Sequence, residues 1–263
     1  MYMNQFRQHS QISARLHTQT MDKLYLDKIM LSVNRSKIYT NATEFDEAKQ
    51  KTKTEPIEQI VERTDSVSAV KKYYKQGKIA VLNFASFKHP GGGFITGSMA
   101  QEESLCHESI LYNVIADEYF SHFYSYNNQH LNRGMYHNRA IYSPDVLFTN
   151  SDNSIGAFAD VITCACPNYS RYIRMNVKPR ENYEALKSRI EFIKKILVDN
   201  DVEIAILGAY GCGVFCQKPE HVALLFKDTF NSGYTNNIKK VVYAIPGGAN
   251  FKIFYNMFSR IDN

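Results

Sequence analysis

Apolar positions along this chain fall into two kinds of run. Residues 78–86, 139–143, 159–166, 203–210 and 239–246 are apolar and β-branched almost without interruption, as in Ile79-Ala80-Val81-Leu82 and Ile204-Ala205-Ile206-Leu207, and are bounded by polar residues or by Gly and Pro. Near-continuous apolar character without strict alternation predicts strands covered on both faces. Between and around them the period lengthens. Residues 56–76 begin with Pro56 and place Ile57, Ile60, Val61, Val67, Val70 and Tyr74 at three- and four-residue spacing, which predicts one amphipathic helix. Residues 180–198 repeat the signal with Tyr183, Leu186, Ile190, Ile193 and Leu197 on one stripe, and 219–230 and 250–258 are further predicted helices. Strands alternating with helices predict an α/β fold with a mainly parallel or mixed sheet under helices. Residues 1–75 lack a strong strand run and are expected to form an all-helical N-terminal extension. No Gly/Ser/Pro linker follows them, so this extension is expected to pack on a body formed by residues 76–263.

Composition narrows the class without changing the fold. The 263 residues are 44% hydrophobic and 22% charged, the balance of an ordinary globular chain rather than a disordered or fibrous one. Apolar runs are far shorter than the roughly 18 to 20 residues of a membrane-spanning helix, so no membrane partner is expected. The first twenty residues carry polar residues throughout and lack the apolar segment of a secretory signal. Five cysteines, an odd number without the spacing of a disulfide scaffold, fit reduced thiols. Both features lead us to expect a cytoplasmic protein. The net charge of +5 is concentrated in residues 1–100, which hold 15 Lys and Arg against 9 Asp and Glu. Those charges are scattered and interleaved with acids, so no specific nucleic-acid partner is expected.

Candidate chemistry gathers at two Gly-rich segments, each directly after a predicted strand. The first runs from Asn83 through His89-Pro90-Gly91-Gly92-Gly93 to Gly97 and then Gln101-Glu102-Glu103. Consecutive glycines permit positive φ and close approach of the backbone to a ligand. The helix predicted from about Gln101 presents free N–H groups and a partial positive charge. Acids are common in a first helical turn, and Glu102 and Glu103 alone would signify nothing more. Their place directly after a Gly-rich strand-to-helix crossing is what makes them candidates. The second segment, Gly208-Ala209-Tyr210-Gly211-Cys212-Gly213-Val214-Phe215, has the form of a nest of N–H groups able to cradle a diphosphate, although a plain tight turn accounts for it equally well. It has neither the Rossmann glycine order nor a Walker lysine.

Other constellations are weaker. No Cys or His set has zinc spacing, so no metal and no cofactor are expected. Cys106 and His107 are adjacent, and neighbours on a helix point in different directions. His89 stands beside the glycines, and Tyr210 and Phe215 flank the second segment, where an aromatic ring can face a ribose or base.

Taken in order, these blocks resemble the bacterial-type poly(ADP-ribose) glycohydrolases, a macrodomain family. Its signature of a triple glycine, a short spacer and Gln-Glu-Glu stands here as Gly91-Gly92-Gly93 and Gln101-Glu102-Glu103, with Leu82-Asn83-Phe84-Ala85-Ser86 before it. The later blocks Ile141-Tyr142-Ser143-Pro144-Asp145-Val146, Val161-Ile162-Thr163-Cys164-Ala165-Cys166-Pro167-Asn168 and the second Gly-rich segment follow in the family's order. The resemblance implies a macrodomain-like three-layer α/β/α fold with a mixed sheet and an N-terminal helical extension. It further implies that Glu103 is the catalytic acid and Glu102 its neighbour orienting the distal ribose. On the same basis Gln101, Gly92, Gly93 and Asn83 bind substrate at the scissile end, while Gly211, Cys212, Gly213 and Val214 hold the diphosphate and Phe215 helps position the distal ribose. The implied substrate is poly(ADP-ribose) or another ADP-ribosylated macromolecule and the product ADP-ribose. One block departs from the family: Tyr243-Ala244-Ile245-Pro246-Gly247-Gly248-Ala249-Asn250 lacks the acidic residue expected after the apolar stretch.

The residue types suit that chemistry on their own terms. Breaking a ribosyl–O-ribose bond through an oxocarbenium-like transition state needs a protonated carboxyl for the leaving oxygen and then a base for water. Placed beside Glu102 and partly desolvated, Glu103 is expected to have a raised pKa. Two other activities share the scaffold, hydrolysis of mono-ADP-ribose from protein or nucleic acid and non-catalytic reading of ADP-ribose; an intact Glu pair argues against the second.

Overall fold

The computed structural model describes residues 2–51, 56–171, 177–231 and 237–259. Seven strands form one mixed sheet: β1 (Lys37–Tyr39), β2 (Glu58–Glu62), β3 (Ile79–Phe84), β4 (Ala140–Thr149), β5 (Ile155–Cys164), β6 (Ile204–Leu207) and β7 (Lys240–Ala244), in the order β1-β4-β5-β3-β6-β7-β2. The β1–β4 and β4–β5 pairs are antiparallel and the other four parallel. The expected α/β class with a mixed sheet is therefore observed, and the five sequence-predicted strands are β3 to β7.

Their unbroken apolar sequences have a direct cause. Ile79 and Val81 of β3, Ile204 and Ile206 of β6, and Val242 of β7 enter one core, whereas Ala80 and Leu82, Ala205 and Leu207, and Val241 and Tyr243 enter the other. Alternate residues face opposite sides of the sheet, so a sheet covered on both faces favours apolar side chains at successive positions, polar ones such as Asn83 entering only with hydrogen-bond partners. The first face is covered by α1 (Tyr2–Arg35), α3 (Ser66–Tyr73), α4 (Gln101–His107), α5 (Leu111–Ile115) and α6 (Ser121–Gln129). The second is covered by α7 (Pro179–Asp199), α8 (Pro219–Asn231) and α9 (Gly248–Ser259), while the short α2 (Glu47–Lys51) lies before β2. The helices predicted at 180–198, 219–230 and 250–258 are α7, α8 and α9 to within two residues. Among the described residues, no helix is long and apolar enough to cross a membrane.

The N-terminal quarter corrects the sequence reading twice. Residues 56–76 are not one helix, because Glu58–Glu62 pairs in parallel with β7, Ile60 opposite Val242, and only Ser66–Tyr73 is helical. Ile57, Ile60 and Val61 satisfy a helical spacing, but β-branched residues beside the open edge of β7 gain a hydrogen-bond ladder as a strand. The helix start is marked instead by Asp65, whose side chain accepts from the Ser68 N–H at 2.9 Å as an N-cap. Nor is the segment 1–75 all-helical: it supplies β1 and β2, the two edge strands of the sheet.

Two contacts of the frame bear on the cleft. The N-terminal part of α1 lies against the first Gly-rich loop, where Arg7 Nε and Gln11 Nε2 donate to the Thr96 carbonyl at 2.9 and 3.2 Å. On the other face Arg189 of α7, 1% exposed, donates to Asn138 Oδ1 at 2.7 Å, to the His137 carbonyl at 2.8 Å and to the Ala165 carbonyl. It ties the end of β5 to the segment before β4. Arg189→Met keeps the bulk and strands three acceptors, each costing about 1–3 kcal/mol if buried unpaired. Urea unfolding is expected to show a loss of at least about 3 kcal/mol.

Candidate active site

The carboxyl ends of β3 and β6 open onto a cleft of about 540 Å³. The loop after β3 supplies one wall. Gly91 and Gly92 take φ of +66° and +59°, values an L side chain rarely adopts. At Gly92 space is equally restrictive, because a Cβ would lie 2.7 Å from Glu102 Oε2 and 2.9 Å from Glu103 Oε1. Both carboxyl groups thus border the same small space above Gly92, and only a glycine lets the backbone approach them.

The Glu pair stands on the first turn of α4, where Ala100 at the N-cap offers no side-chain acceptor. The carboxyl groups take over that function and also hold the loop. Glu103 accepts from the Ala100 N–H at 3.0 Å and from the Gly93 N–H at 2.8 Å. Glu102 accepts from the Ser86 N–H at 2.7 Å and from Asn83 Nδ2 at 3.2 Å. The start of the loop hangs on one glutamate and its end on the other. Exposures of 4% and 6% make this a costly arrangement for two adjacent acids. Burial is the dominant influence on Glu102 and pushes its carboxyl up to about 8; the charge of Glu103 adds to the rise, while the Ser86 and Asn83 hydrogen bonds oppose it. The sequence expectation of a raised carboxyl concerned Glu103, and the raised carboxyl described here is that of its neighbour Glu102 on the same helical turn. With Glu102 ionised, Asn83 Oδ1 is buried without a partner.

The loop after β6 forms the other wall. Gly208 lies where a Cβ would meet the Ala244 carbonyl oxygen at 2.8 Å, and Gly211, at φ +73°, where it would meet Cys166 Sγ at 2.4 Å. Two turns, Cys212 N–H to the Ala209 carbonyl and Cys216 N–H to the Gly213 carbonyl, coil the loop. Among the described residues the N–H groups of Gly213, Val214 and Phe215 have no hydrogen-bond acceptor. Successive unspent N–H donors in a loop are the groups from which anion-binding concavities are built.

Nine of the eleven residues singled out from the sequence line this cleft: Gly92, Gly93, Gln101, Glu102, Glu103, Gly211, Gly213, Val214 and Phe215. Gln101 is committed to the frame, since its amide accepts from the Phe84 N–H at 2.8 Å and donates to the Leu82 carbonyl and Ser66 Oγ at 2.9 and 3.0 Å. Asn83 and Cys212 do not line the cleft. Asn83 is wholly buried behind Glu102, bonded to it and to Thr163, because its side chain leaves β3 on the face opposite Leu82. Cys212 turns its thiol onto the Tyr210 carbonyl, where burial raises its pKa to about 12. Tyr210 does not face a ribose either: it is fully buried, bonded to the Cys164 carbonyl at 2.9 Å and packed edge-on against Phe84. His89 lines the cleft, as do Phe84, Ser86, Ser98 and Ala209, which the motif reading passed over. Phe84, Ser86 and Ala209 follow strand ends closely, and the position of ligands at the carboxyl ends of parallel strands was the available signal.

A second cavity of about 490 Å³ shares Phe84, Ala100, Gln101 and Ala209 with the first and extends to Pro246, Gly247 and Asn250. The edge without the expected acidic residue is therefore a cavity wall carrying an amide.

Two outcomes follow from this geometry. A glutamate whose carboxyl is raised in the folded state binds a proton there at pH values where the unfolded chain has lost it, so its contribution to stability falls as pH rises from about 4.5 to about 8. Glu102→Gln is expected to melt progressively above wild type over that window and to lose its advantage near pH 4, as read by thermal unfolding across pH. Gly92→Ala is expected to lower the melting temperature by several degrees, since a left-handed alanine costs about 1–2 kcal/mol before the clash with both carboxyl groups is counted.

Residues 7–151, more than half of the chain and including the whole first loop with the Glu pair, match the family model for the microbial-type PARG catalytic domain. No curated protein matches. Among solved structures, the chain is similar to poly(ADP-ribose) glycohydrolase from Thermomonospora curvata, with a TM-score of 0.82 and 22% identity over 95% of this chain and 100% of that one. The same enzyme bound to the inhibitor ADP-HPD gives 0.83 and 23% over 95% and 99%. The glycohydrolase of Deinococcus radiodurans in complex with ADP-ribose gives 0.79 and 23% over 89% and 98%. These likenesses extend the shared fold over the second loop, which lies beyond the family match. By its first loop and its paired carboxyl groups, the chain belongs to the family of microbial-type poly(ADP-ribose) glycohydrolase (PARG) catalytic domains.

Proposed function

We propose that this cleft hydrolyses the ribose–ribose O-glycosidic bond at an end of poly(ADP-ribose) and releases ADP-ribose. The observation that carries the reading is the pairing of two buried carboxyl groups above Gly92 with three free N–H groups on the facing loop. That combination suits a distal ribose joined to a diphosphate. The distal ribose lies over Gly92 and Gly93, oriented by Glu102, with the diphosphate on residues 211–215 and Phe215 against the ribose. The adenosine end extends into the second cavity toward Asn250. Family membership and the likeness to ADP-ribose-bound PARG support the same ligand.

In the reaction, Glu103 gives a proton to the leaving ribose oxygen as its bond to the anomeric carbon breaks, and the diphosphate stabilises the cationic ribosyl group. The carboxylate so formed then takes a proton from water as the water oxygen bonds to the anomeric carbon. This restores the acid and completes ADP-ribose. Glu102, whose carboxyl burial pushes up to about 8, borders the same space over Gly92 as Glu103. Asn83 and Gln101 act from behind, the first on Glu102 and the second by seating α4 against β3.

Helices over both sheet faces, with the cleft at strand carboxyl ends, support the macrodomain-like three-layer reading. The hydrogen-bonded edge strands β1 and β2 and the hold of α1 on Thr96 support treating residues 1–75 as part of one folding unit with the body.

Purified poly(ADP-ribose) tests the function. Wild type is expected to release ADP-ribose in the presence of EDTA, and Glu103→Gln to lose at least about 100-fold in rate, the lower end of what a general acid supplies, while still binding ADP-ribose in calorimetry. Binding without release by wild type would overturn hydrolysis of the polymer and point to mono-ADP-ribosylated substrates.

A further inference from the structure

Residues 124–136 are rich in Asn, Tyr and His and take no part in the proposed chemistry, yet they complete the cleft from behind. Asn127 and Asn128 of α6 donate their amides to the Phe87 and Lys88 carbonyls at 2.9 and 3.1 Å, fixing the backbone where the first loop begins. Beyond α6 the chain turns sharply, with Asn132, Arg133 and Tyr136 all at positive φ, and brings the Tyr136 ring inward to 7% exposure. That ring lies between the two walls. It stacks on Phe87 of the first loop with centroids 4.2 Å apart and planes at 11°, and meets Phe215 of the second edge-on at 6.3 Å and 63°. Main-chain bonds secure the same region: the Asn168 N–H donates to the Gly134 carbonyl at 2.7 Å, and the Tyr169 and Ser170 N–H groups donate to the Phe215 carbonyl at 2.9 and 3.2 Å. Among the described residues, no hydrogen bond runs directly between residues 85–100 and 208–217. The walls are joined by rings, Phe84 against Tyr210 at the sheet and Tyr136 between Phe87 and Phe215 higher up.

We propose that Tyr136 is a positioning residue for substrate, its ring acting as the spacer that sets Phe215 and the free N–H groups of the second loop at the correct separation from the Glu pair. The inference rests on the reading of the cleft as an ADP-ribose site. It separates two properties of the enzyme. The Glu pair hangs on the N–H groups of Ser86, Gly93 and Ala100, whose acceptors are the carboxyl groups and not Tyr136. Binding through Phe215 does depend on it. Removing the ring therefore weakens ligand binding much more than the bond-breaking step.

Kinetics on poly(ADP-ribose) and calorimetry with ADP-ribose test this. Tyr136→Ala is expected to raise both KM and the ADP-ribose Kd about five- to tenfold, the scale of lost aromatic contacts, with kcat within about threefold of wild type. Tyr136→Phe, which keeps the ring, is expected to stay much closer to wild type than Tyr136→Ala in KM and Kd. The chain contains no tryptophan, so Phe215→Trp supplies a single fluorescent reporter. Its emission is expected to shift to the red when combined with Tyr136→Ala and to stay in place with Tyr136→Phe. Unchanged KM and Kd in Tyr136→Ala would overturn the proposal, as would a loss confined to kcat or a Tyr136→Phe variant as damaged as the alanine. Should Tyr136→Ala fail to fold, Tyr136→Leu is read by the same criteria. Failure of wild type to release ADP-ribose would sink the hydrolase reading alone, because ADP-ribose Kd and the reporter emission still decide the role of the ring.

Discussion

Two adjacent carboxyl groups are buried at the start of one short helix, and the geometry of the cleft follows from how their burial is tolerated. Water would solvate Glu102 and Glu103 far better than an apolar interior does. The protein offsets that cost with backbone donors: Ser86 for one glutamate, Gly93 and Ala100 for the other. Those donors sit at the two ends of a loop whose middle, Gly92, touches both carboxyl groups. The acids shape the glycine loop, and the loop keeps the acids where a sugar can reach them. Neither half is stable in this form without the other.

The remaining elements limit the freedom of that unit. Strand β3 brings the loop to the carboxyl edge of the sheet, and Gln101 bolts α4 to its last residues. From one side α1 holds Thr96; from another, α6 holds Phe87 and Lys88. The facing loop is pinned by close approaches at Gly208 and Gly211 and by the carbonyl of Phe215, and among the described residues the N–H groups of Gly213, Val214 and Phe215 remain unspent. A site that must stabilise a developing cation and a fixed diphosphate benefits from dipoles oriented before substrate arrives, and here most of the orienting contacts are main-chain.

How far this was legible beforehand varied with the reach of the interaction. Strands β3 to β7 announced themselves because burial on both faces keeps most of their positions apolar. Helices α7 to α9 were readable from the opposite constraint, a single buried stripe. Strand β2 was not, since Ile57, Ile60 and Val61 satisfy either period and only the open edge of β7 decides between them. Strand β1, three residues long, carries too short a pattern to register. In the site, glycines and glutamates were visible as motifs. The inward turn of Asn83, the burial of Tyr210 and the diversion of the Cys212 thiol depend on which face of β3 or which side of a turn each side chain leaves.

By itself, the sequence determined the class of fold, the two loops and the identity of the paired acids, because those rest on local pattern: apolar runs, glycines after strands, acids at a helix start. Tertiary structure alone decided that burial raises the Glu102 carboxyl, which of the candidates reach the cleft, and that Tyr136 stands between the two walls. Each of those depends on distances between segments far apart in the chain, Phe87 to Tyr136 and Tyr136 to Phe215 among them, and a local pattern carries no information about such distances.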